Sequence, residues 1–322
     1  MMATATHKPR VAVVVATHAY CYPLEKCLAD FAAQTQAPQD VILVDNGSGG
    51  AMTRWAREHA PFATTLTRER NGFFCGGYNE GLRYAIDHGY DFALIVNADT
   101  EACNPRLLDD LVAVAARHPR AAFIGPQVFL RERGNVQNTV LTYPSFSRSL
   151  WSFIQHKFLG PPPLASDDNE REVEFLNGVC VLCRVAALRE IGLLDETMGG
   201  YVEDTDWSWR AKNLGWTSVY TPIPSIIHHQ PEAGYEHYSL KSFMLRRNTI
   251  YWHWKRGNKL EAMLYGWSAR GLAWLRVMKA AIAGRPDRGE FADFSRRIAA
   301  VDRQIRAGAA IGEWFGPPVS SN

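Results

Sequence analysis

Short apolar runs alternate with amphipathic stretches along the first half of the chain. The runs at residues 11–16, 41–44 and 94–96 are apolar throughout, as parallel strands buried on both faces should be. The stretches between them, such as residues 24–35, place apolar residues at helical spacing. Strand and helix alternate, so the pattern predicts an α/β fold with a doubly wound, mainly parallel sheet and helices on both faces.

The same pattern extends over most of the chain. Further strands are predicted at residues 64–67, 123–128, 172–184 and 217–221, and further helices at residues 52–59, 78–88, 105–117 and 203–214. Residues 130–166 lack a periodic pattern and include Pro161-Pro162-Pro163, so we predict a long surface insertion there. Helical spacing returns after residue 255.

A polar cluster with Asn97 and Asp99 ends the apolar run at residues 94–96. In an open α/β sheet, ligands bind just beyond the carboxyl ends of the strands. A carboxylate there, two residues from another oxygen-bearing side chain, can hold a hard divalent cation and through it phosphate oxygens. The alternative is that both residues only end the strand and cap the next helix.

A glycine-rich segment precedes the helix at residues 78–88. Gly72, Gly76 and Gly77 would allow the backbone close to a ligand, and the helix N-terminus would offer free N–H groups to an anion. The segment follows the third strand with the wrong spacing for the dinucleotide fingerprint. We interpret it as a ligand loop, with a tight structural turn as the alternative.

Acidic residues cluster at the start of the helix at residues 203–214. A helix N-terminus stabilises Glu203, Asp204 and Asp206 without any functional role. Adjacent side chains point in different directions, however, so one carboxylate can bind a partner while the other faces a cleft as a general base. His228 and His229 end a later strand and are candidate cation or phosphate ligands, with a structural role as the alternative.

Residues 241–259 are basic and aromatic, include Arg247 and contain no acidic residue. Such a stretch fits a diphosphate or an anionic headgroup surface, whereas no nucleic-acid-binding motif accompanies it. The helix after it carries large apolar residues such as Trp267 and Trp274 at helical spacing. That stripe favours core packing or a subunit contact, hence a homodimer, over a membrane anchor.

Composition narrows the function classes. A net charge of +2 from 35 basic and 33 acidic residues gives no overall attraction to nucleic acid. No signal peptide is predicted at the N-terminus, and six scattered cysteines suit a reducing cytoplasm. Cys180 and Cys183 form a C-x-x-C in an apolar strand without a second pair, so we interpret them as buried structural residues.

These motifs, in this order, resemble the family-2 glycosyltransferases of the GT-A fold, and most of all the bacterial rhamnosyltransferase-like enzymes of surface polysaccharide assembly. The resemblance covers about residues 10–255. The motifs that carry it are Thr17 after the first strand, Asp45-Asn46-Gly47-Ser48, Asn71-Gly72-Phe73 with Gly76-Gly77-Tyr78-Asn79, Asn97-Ala98-Asp99, and Glu203-Asp204-Thr205-Asp206.

The resemblance implies a GT-A catalytic domain over residues 1–255, with a donor half at about 10–128 and an acceptor half at about 129–255. A C-terminal helical extension would occupy residues 256–322. The implied reaction is an inverting transfer from a dTDP- or UDP-sugar, with dTDP-L-rhamnose the leading expectation, to a glycan or lipid-linked acceptor. The protein would act in the cytoplasm, with peripheral contact at the inner membrane face.

Residue roles are implied in the same way. Thr17 and Asp45 would hold the nucleobase, Asp204 would be the general base, and Glu203 would support it. Asp99 would bind Mg²⁺ or Mn²⁺, with His229 or its neighbour His228 completing the site. The other implied nucleotide-sugar contacts are Asn71, Gly72, Gly76, Gly77, Asn79, Asn97 and Arg247.

Two departures from the family pattern leave the resemblance open to test. After the first strand, His18-Ala19-Tyr20-Cys21 replaces the more usual Tyr-Asn pattern, which leaves the details of base recognition open. Asn97 stands where many relatives carry a first aspartate, so we expect a weaker hold on the cation. Two rival functions share the sheet: a sugar nucleotidyltransferase, which would need a triphosphate loop after the first strand, and a non-catalytic sugar-nucleotide-binding or scaffold subunit.

Overall fold

The computed structural model describes residues 8–35, 39–132, 135–159, 169–229, 240–284 and 288–307. The chain divides into two compact units. The first comprises residues 1–143, 163–199 and 203–232, and the second comprises residues 144–162, 200–202 and 233–322. The boundary predicted near residue 255 lies inside the second unit.

The described strands all belong to the first unit. They are β1 (Val11–Thr17), β2 (Gln39–Asn46), β3 (Thr64–Arg68), β4 (Phe92–Val96), β5 (Thr100–Ala102), β6 (Ala121–Leu130), β7 (Val136–Gln137), β8 (Val140–Leu141), β9 (Arg171–Val173), β10 (Phe175–Leu176), β11 (Cys180–Arg184) and β12 (Thr217–His228).

The described helices are divided between the units. Those of the first unit are α1 (Leu24–Ala32), α2 (Ala51–His59), α3 (Phe73–Asp87), α4 (Leu107–Arg117), α6 (Val185–Ile191) and α7 (Glu203–Asn213). Those of the second unit are α5 (Phe146–Leu159), α8 (Leu240–Lys255), α9 (Lys259–Ile282) and α10 (Arg288–Arg306).

The main sheet has the strand order β3-β2-β1-β4-β11-β6-β12-β5. The first four strands are parallel, β11 runs antiparallel to both of its neighbours, and β6 pairs in parallel with β12. The predicted α/β class is confirmed. Since β1, β2 and β4 are parallel, their carboxyl ends meet at one edge of the sheet.

The core explains why these strands read as continuous apolar runs. All five residues of β4 are buried, and so are residues 41–46 of β2, because helices cover both faces of the sheet. The strand predicted at residues 172–184 is instead three short strands, since a turn at Gly178–Val179 interrupts it.

The predicted irregular insertion at residues 130–166 is wrong in one part, because residues 146–159 form α5. This stretch contains neither glycine nor proline, so nothing in it opposes a helix. The proline run that suggested a loop lies outside the described residues. The remaining pieces of this segment include β7 and β8.

The second unit is helical, as predicted for the C-terminal part. Helices α8, α9 and α10 share an apolar core that includes Phe243, Ile250, Ala269, Ile298 and Val301. Over the described part of the chain, no helix is both long enough and apolar enough to cross a bilayer.

Candidate active site

An open cleft of about 360 Å³ lies at the carboxyl edge of the parallel strands. Such an edge is where open α/β sheets bind ligands. Residues from the ends of β1, β2 and β4 and from the start of α3 line it. They include Thr17, Asn46, Asn71, Tyr78, Asn97 and Asp99. Four of the predicted site residues therefore share one cleft.

Asn46 joins two of the loops that form the cleft. Its side-chain oxygen accepts the N–H of Gly72 at 3.0 Å, and its amide donates to the Phe73 carbonyl at 2.7 Å and to Asn71 Oδ1 at 3.2 Å. Sequence reasoning missed Asn46 as a site residue. Its position beside Asp45 at a polar strand end was the signal that could have found it.

Asp45 does not line the cleft. Its carboxylate is fully buried and accepts the N–H of Ser48 and both the N–H and the hydroxyl of Thr53. Burial alone would raise the pKa of Asp45, but these hydrogen bonds outweigh it and hold the pKa below its ordinary value. The carboxylate thus holds the loop before α2, and Asn46 is the neighbour that lines the cleft.

The glycines of α3 allow close packing. A Cβ on Gly77 would lie 2.8 Å from Asn46 Nδ2 and 3.1 Å from the Ala16 side chain, and one on Gly72 would lie 2.8 Å from the Gly76 backbone. Only glycine lets the first turn of α3 approach the strand ends this closely. The helix begins at Phe73, earlier than predicted, so Gly76 and Gly77 belong to it rather than to a loop.

Asn79 is buried and points away from the cleft. Its amide donates to the Leu194 carbonyl at 2.9 Å and to Glu196 Oε1 at 3.0 Å, and its oxygen accepts the Leu194 N–H at 3.0 Å. These bonds tie α3 to the segment before α7. Asn79 therefore fixes the helix that forms one wall of the cleft.

Asp99 lies beside His228, the last residue of β12. The Asp99 Oδ1 and His228 Nε2 atoms are 3.3 Å apart. On the other side of the ring, His228 Nδ1 is 2.8 Å from Gln137 Oε1, which can only accept a hydrogen bond. Nδ1 therefore donates to Gln137, and Nε2 is the ring nitrogen that faces Asp99.

Asn97 and Tyr78 complete this end of the cleft. The Tyr78 hydroxyl donates to the Val96 carbonyl at 2.8 Å and lies 3.3 Å from Asn97 Oδ1. Asn97 Nδ2 is 3.5 Å from His228 Nε2. No cluster of three or more histidine, cysteine, aspartate or glutamate side chains positioned for a metal occurs in the described part of the chain.

The His229 ring lies beside Glu101 rather than Asp99. Its Nε2 lies 2.9 Å from Glu101 Oε1, and its backbone N–H donates to the Asp99 carbonyl at 2.8 Å. The Tyr22 ring packs edge-on against its imidazole. Of the two adjacent histidines, His228 is the one whose ring meets the Asp99 carboxylate.

Glu203 and Asp204 occupy the first turn of α7 and line a smaller pocket of about 10 Å³, room for about one water molecule. Burial raises the pKa of Asp204 to about 6, although hydrogen bonds from the Thr205 and Gly178 backbones lower it. Burial, together with the Asp204 charge, raises the pKa of Glu203 well above its ordinary value. Glu203 Oε2 has no hydrogen-bond partner within the described residues.

Phe74 connects the two pockets. Its side chain lines both the cleft and the pocket that holds Glu203 and Asp204. Asp204 does not itself line the cleft. Two residues just before α7, Tyr201 and Val202, have positive φ angles of 65° and 73°, which bulky L-residues rarely adopt. Such strain is typical of functional sites.

Arg247 lies on α8 in the second unit. Its side chain is buried, and its Nη1 donates to Asn248 Oδ1 at 2.7 Å. Its role in diphosphate binding stays a prediction.

Sequence comparison identifies the family. The family model described as "Glycosyltransferase like family 2" matches residues 9–247, so the chain belongs to this family. It is 29% identical over 236 residues to the N-acetylglucosaminyl-diphospho-decaprenol L-rhamnosyltransferase of Mycobacterium tuberculosis (strain ATCC 25618 / H37Rv), covering 69% of this chain and 76% of that protein. The predicted glycosyltransferase class is confirmed.

Solved structures show the same fold. GalNAc-T7 with UDP, GalNAc and Mn²⁺ superposes with a TM-score of 0.59 at 13% identity. That match covers 77% of this chain and 48% of GalNAc-T7. The mannosyltransferase PcManGT from Pyrobaculum calidifontis, in complex with GDP-Man and Mn²⁺, superposes with a TM-score of 0.52 at 16% identity. That match covers 94% of this chain and 88% of the mannosyltransferase. The predicted GT-A fold is confirmed.

Proposed function

We propose that this protein is an inverting glycosyltransferase that moves L-rhamnose from dTDP-L-rhamnose to a hydroxyl of a lipid-linked glycan. The observation that carries the proposal is the meeting of two chemically different pockets at Phe74: a polar cleft at the strand ends and a buried pair of carboxylates. An inverting transfer needs a donor site for the diphosphate on one side and one base on the other.

The donor binds in the cleft. Thr17 and Asn46 face the nucleobase end, with Asp45 holding the loop behind them, and Asn71, Gly72 and the first turn of α3 form the wall beside the diphosphate. The N–H groups of Gly72, Phe73 and Cys75 already donate to Asn46, Asn71 and Gly199, contrary to the free helix N-terminus that the sequence predicted. Side chains of this wall, rather than those amides, would therefore meet the diphosphate.

Asp99 and His228 fit a divalent cation, Mg²⁺ or Mn²⁺. A carboxylate oxygen and an imidazole lone pair 3.3 Å apart repel each other unless a cation or a proton lies between them. Gln137 fixes the ring so that Nε2 stays available. Two protein ligands suffice where substrate phosphates supply others. Such a cation would neutralise charge on the departing diphosphate.

Asp204 accepts the proton of the attacking hydroxyl. A pKa of about 6 leaves its carboxyl ionised at neutral pH while keeping it more basic than an exposed aspartate. Glu203 keeps its proton longer, because it is more deeply buried and faces the Asp204 charge. Burial and mutual repulsion thus raise the pKa of both carboxyls, so the pair favours holding one proton near neutral pH.

The acceptor class follows from the relative in Mycobacterium tuberculosis, whose name describes an N-acetylglucosaminyl-diphospho-decaprenol acceptor. A prenyl diphosphate carrying N-acetylglucosamine is therefore the acceptor that we propose. It would be met at the inner face of the plasma membrane, with the protein on the cytoplasmic side.

A donor screen tests the proposal. We expect dTDP to raise the melting temperature more than UDP or GDP does, with a larger shift when Mn²⁺ is present, because ligands that bind only the folded state stabilise it. Turnover of dTDP-L-rhamnose on a prenyl-diphosphate-linked N-acetylglucosamine should then give a product of inverted anomeric configuration by NMR. Retained configuration, or a preference for UDP or GDP in both assays, would contradict it.

A further inference from the structure

Helix α9 is built with its large apolar side chains facing outward. The residues buried in the second unit are small, namely Ala262, Gly266, Ala269, Ala273 and Ala280. The exposed ones are large: Leu260, Trp267, Trp274, Leu275, Met278 and Ile282 are 51–85% exposed. At about 100° per residue, the two sets lie on opposite faces of the helix. An ordinary surface helix has the reverse arrangement.

Helix α5 lies beside α9 in the same unit and has the same character. The Ser149 and Tyr265 hydroxyls are 2.7 Å apart, and the Phe146 ring meets the Tyr265 ring edge-on at 5.6 Å. Its exposed large apolar residues are Leu150, Trp151, Phe153, Ile154 and Phe158. Monomeric soluble proteins rarely leave so many large apolar side chains open on neighbouring helices.

Charge separates this region from the rest of the chain. Glu261 is the only acidic residue between Leu240 and Ile282, against nine lysines and arginines. Since the whole chain has a net charge of only +2, the remainder is net negative. The Glu261 carboxylate is already used within the unit, because it accepts the N–H of Phe146 at 2.6 Å.

Basic residues border the apolar face of α9 on both sides. At helical spacing, Arg270 falls on one edge of the stripe and Lys279 on the other. An apolar face with tryptophans and a basic border is the pattern of helices that lie in a bilayer interface, where the rings sit at headgroup level and the cations meet anionic lipid.

We propose that α9, with α5 beside it, is a docking surface for an anionic phospholipid bilayer. The α9 stripe is defined as Leu260, Trp267, Trp274, Leu275, Met278 and Ile282. The helices lie on the membrane and do not cross it, in keeping with the charges that interrupt α9. The surface deepens the proposed function, since it would keep the enzyme at the leaflet that carries its lipid-linked acceptor.

A second copy of this chain fits the stripe less well than a bilayer does. Two copies packed through α9 would bring their basic borders together, while the one acidic residue of this region already has a partner. Anionic headgroups supply the missing negative charge.

Vesicle co-sedimentation of the full chain tests the proposal. Three samples are compared on vesicles of phosphatidylcholine, alone and mixed with phosphatidylglycerol. The first is the parent, and the second is the stripe variant Trp267→Gln/Trp274→Gln/Met278→Gln. The third is a control, Phe62→Gln/Leu214→Gln/Ile223→Gln, whose side chains are also 48–72% exposed but lie in the first unit. Melting temperatures and light scattering check folding and oligomeric state.

We expect the parent to bind only the anionic vesicles, and added salt to weaken that binding. The stripe variant should bind about tenfold more weakly, because three interfacial side chains are lost, while the control stays like the parent. Equal binding to neutral and anionic vesicles, or a folded stripe variant that binds as the parent does, would overturn the proposal. A third outcome would also overturn the proposal: the parent is a dimer that binds no vesicles, and the stripe variant is a monomer. That result would assign the stripe to a contact with a second copy of the chain.

Vesicle binding and sugar transfer fail separately. If the protein transfers sugar to a soluble acceptor analogue but binds no vesicles, only the docking surface is contradicted. If the protein binds vesicles but uses no nucleotide sugar, only the proposed function is contradicted.

Discussion

Two carboxylate sites in the first unit meet opposite environments. Asp45, behind the donor cleft, is fully buried yet accepts hydrogen bonds from Ser48 and Thr53, and its pKa is lowered. Asp204, at the start of α7, lies in a pocket with apolar walls, and its pKa is raised to about 6. Both carboxylates accept several hydrogen bonds, so the direction of each pKa shift depends on the balance: the bonds outweigh desolvation at Asp45, and desolvation outweighs the bonds at Asp204.

The contrast matches what each side of the reaction requires. A loop that shapes a nucleotide pocket needs a fixed anion, and Asp45 provides one. A general base needs a carboxylate that is ionised near neutral pH and still attracts a proton, and the pocket around Asp204 provides that. Each prediction below changes one side of this contrast.

The largest effect is expected from Asp204→Asn. The amide cannot take the acceptor proton, so kcat should fall by about 10²- to 10⁴-fold. The dTDP-induced rise in melting temperature should persist, because Asp204 does not line the cleft. Rate assays and thermal shifts on the same preparation measure both. Asp87→Asn, an exposed carboxylate on α3, is the matched control.

The pH profile of the parent sharpens the same prediction. The base works only when ionised, so the rate should fall as pH drops through about 6. A single proton predicts about a tenfold loss for each further pH unit. A flat profile from pH 7 to pH 5, or an Asp204→Asn enzyme of near-parental rate, would remove Asp204 from the base role.

The next effect is on cation binding at the cleft. Gln137→Leu removes the acceptor that fixes the His228 ring, so Mn²⁺ affinity should fall by about 10- to 100-fold. His228→Ala should lose at least as much. Mn²⁺ titration followed by electron paramagnetic resonance, with dTDP present, measures the affinity without turnover.

His229→Ala is the internal control for cation binding. Because His229 pairs with Glu101, its loss should leave Mn²⁺ affinity near the parental value. If His229→Ala abolishes binding while His228→Ala does not, the ligand assignment made from the sequence was the better one.

A smaller effect is expected from Asp45→Asn. The amide nitrogen cannot accept the bonds that the carboxylate accepts, so stability should fall by about 1–3 kcal/mol. Since the Asp45 pKa is lowered in the folded state, its stabilising effect exists above the unfolded pKa and is lost as pH falls through the folded one. The deficit of Asp45→Asn in chemical denaturation should therefore shrink in strong acid.

The same variant decides what Asp45 does. A lower melting temperature with an unchanged dTDP shift assigns Asp45 to the loop. An unchanged melting temperature with a lost dTDP shift would instead restore the direct contact with the nucleobase that the sequence suggested.

The sequence predicts the strands better than the orientation of single side chains. β1, β2 and β4 are apolar runs. A short run that is apolar throughout is typical of a parallel strand buried on both faces, so the sequence predicts these strands well. Whether Asp45 or Asn46 faces the cleft depends on which of two adjacent residues the loop before α2 turns inward. That choice rests on bonds to Ser48 and Thr53, which no periodic pattern records.

The histidine pair shows the same limit. His228 ends β12 and His229 follows it directly, and successive side chains of an extended chain point to opposite sides. Which one meets Asp99 depends on how β12 pairs with β5 and β6 across distant parts of the chain. The sequence analysis missed α5 for another reason. The proline run that follows suggested a loop, although residues 146–159 contain no glycine or proline that would oppose a helix.

The smallest effect, and the one that most directly tests the buried side of the contrast, is expected from Glu203→Gln. Glu203 has a raised pKa, so above the ordinary glutamate pKa the unfolded chain releases a proton that the folded chain retains, and this costs stability. An amide of the same shape removes the cost, so the melting temperature should rise by about 2–4 °C at pH 8. The gain should vanish near pH 4, where the unfolded glutamate is also protonated. A gain independent of pH would mean that packing, not ionisation, separates the two side chains, and a loss at pH 8 would mean that Glu203 is ionised in the folded protein.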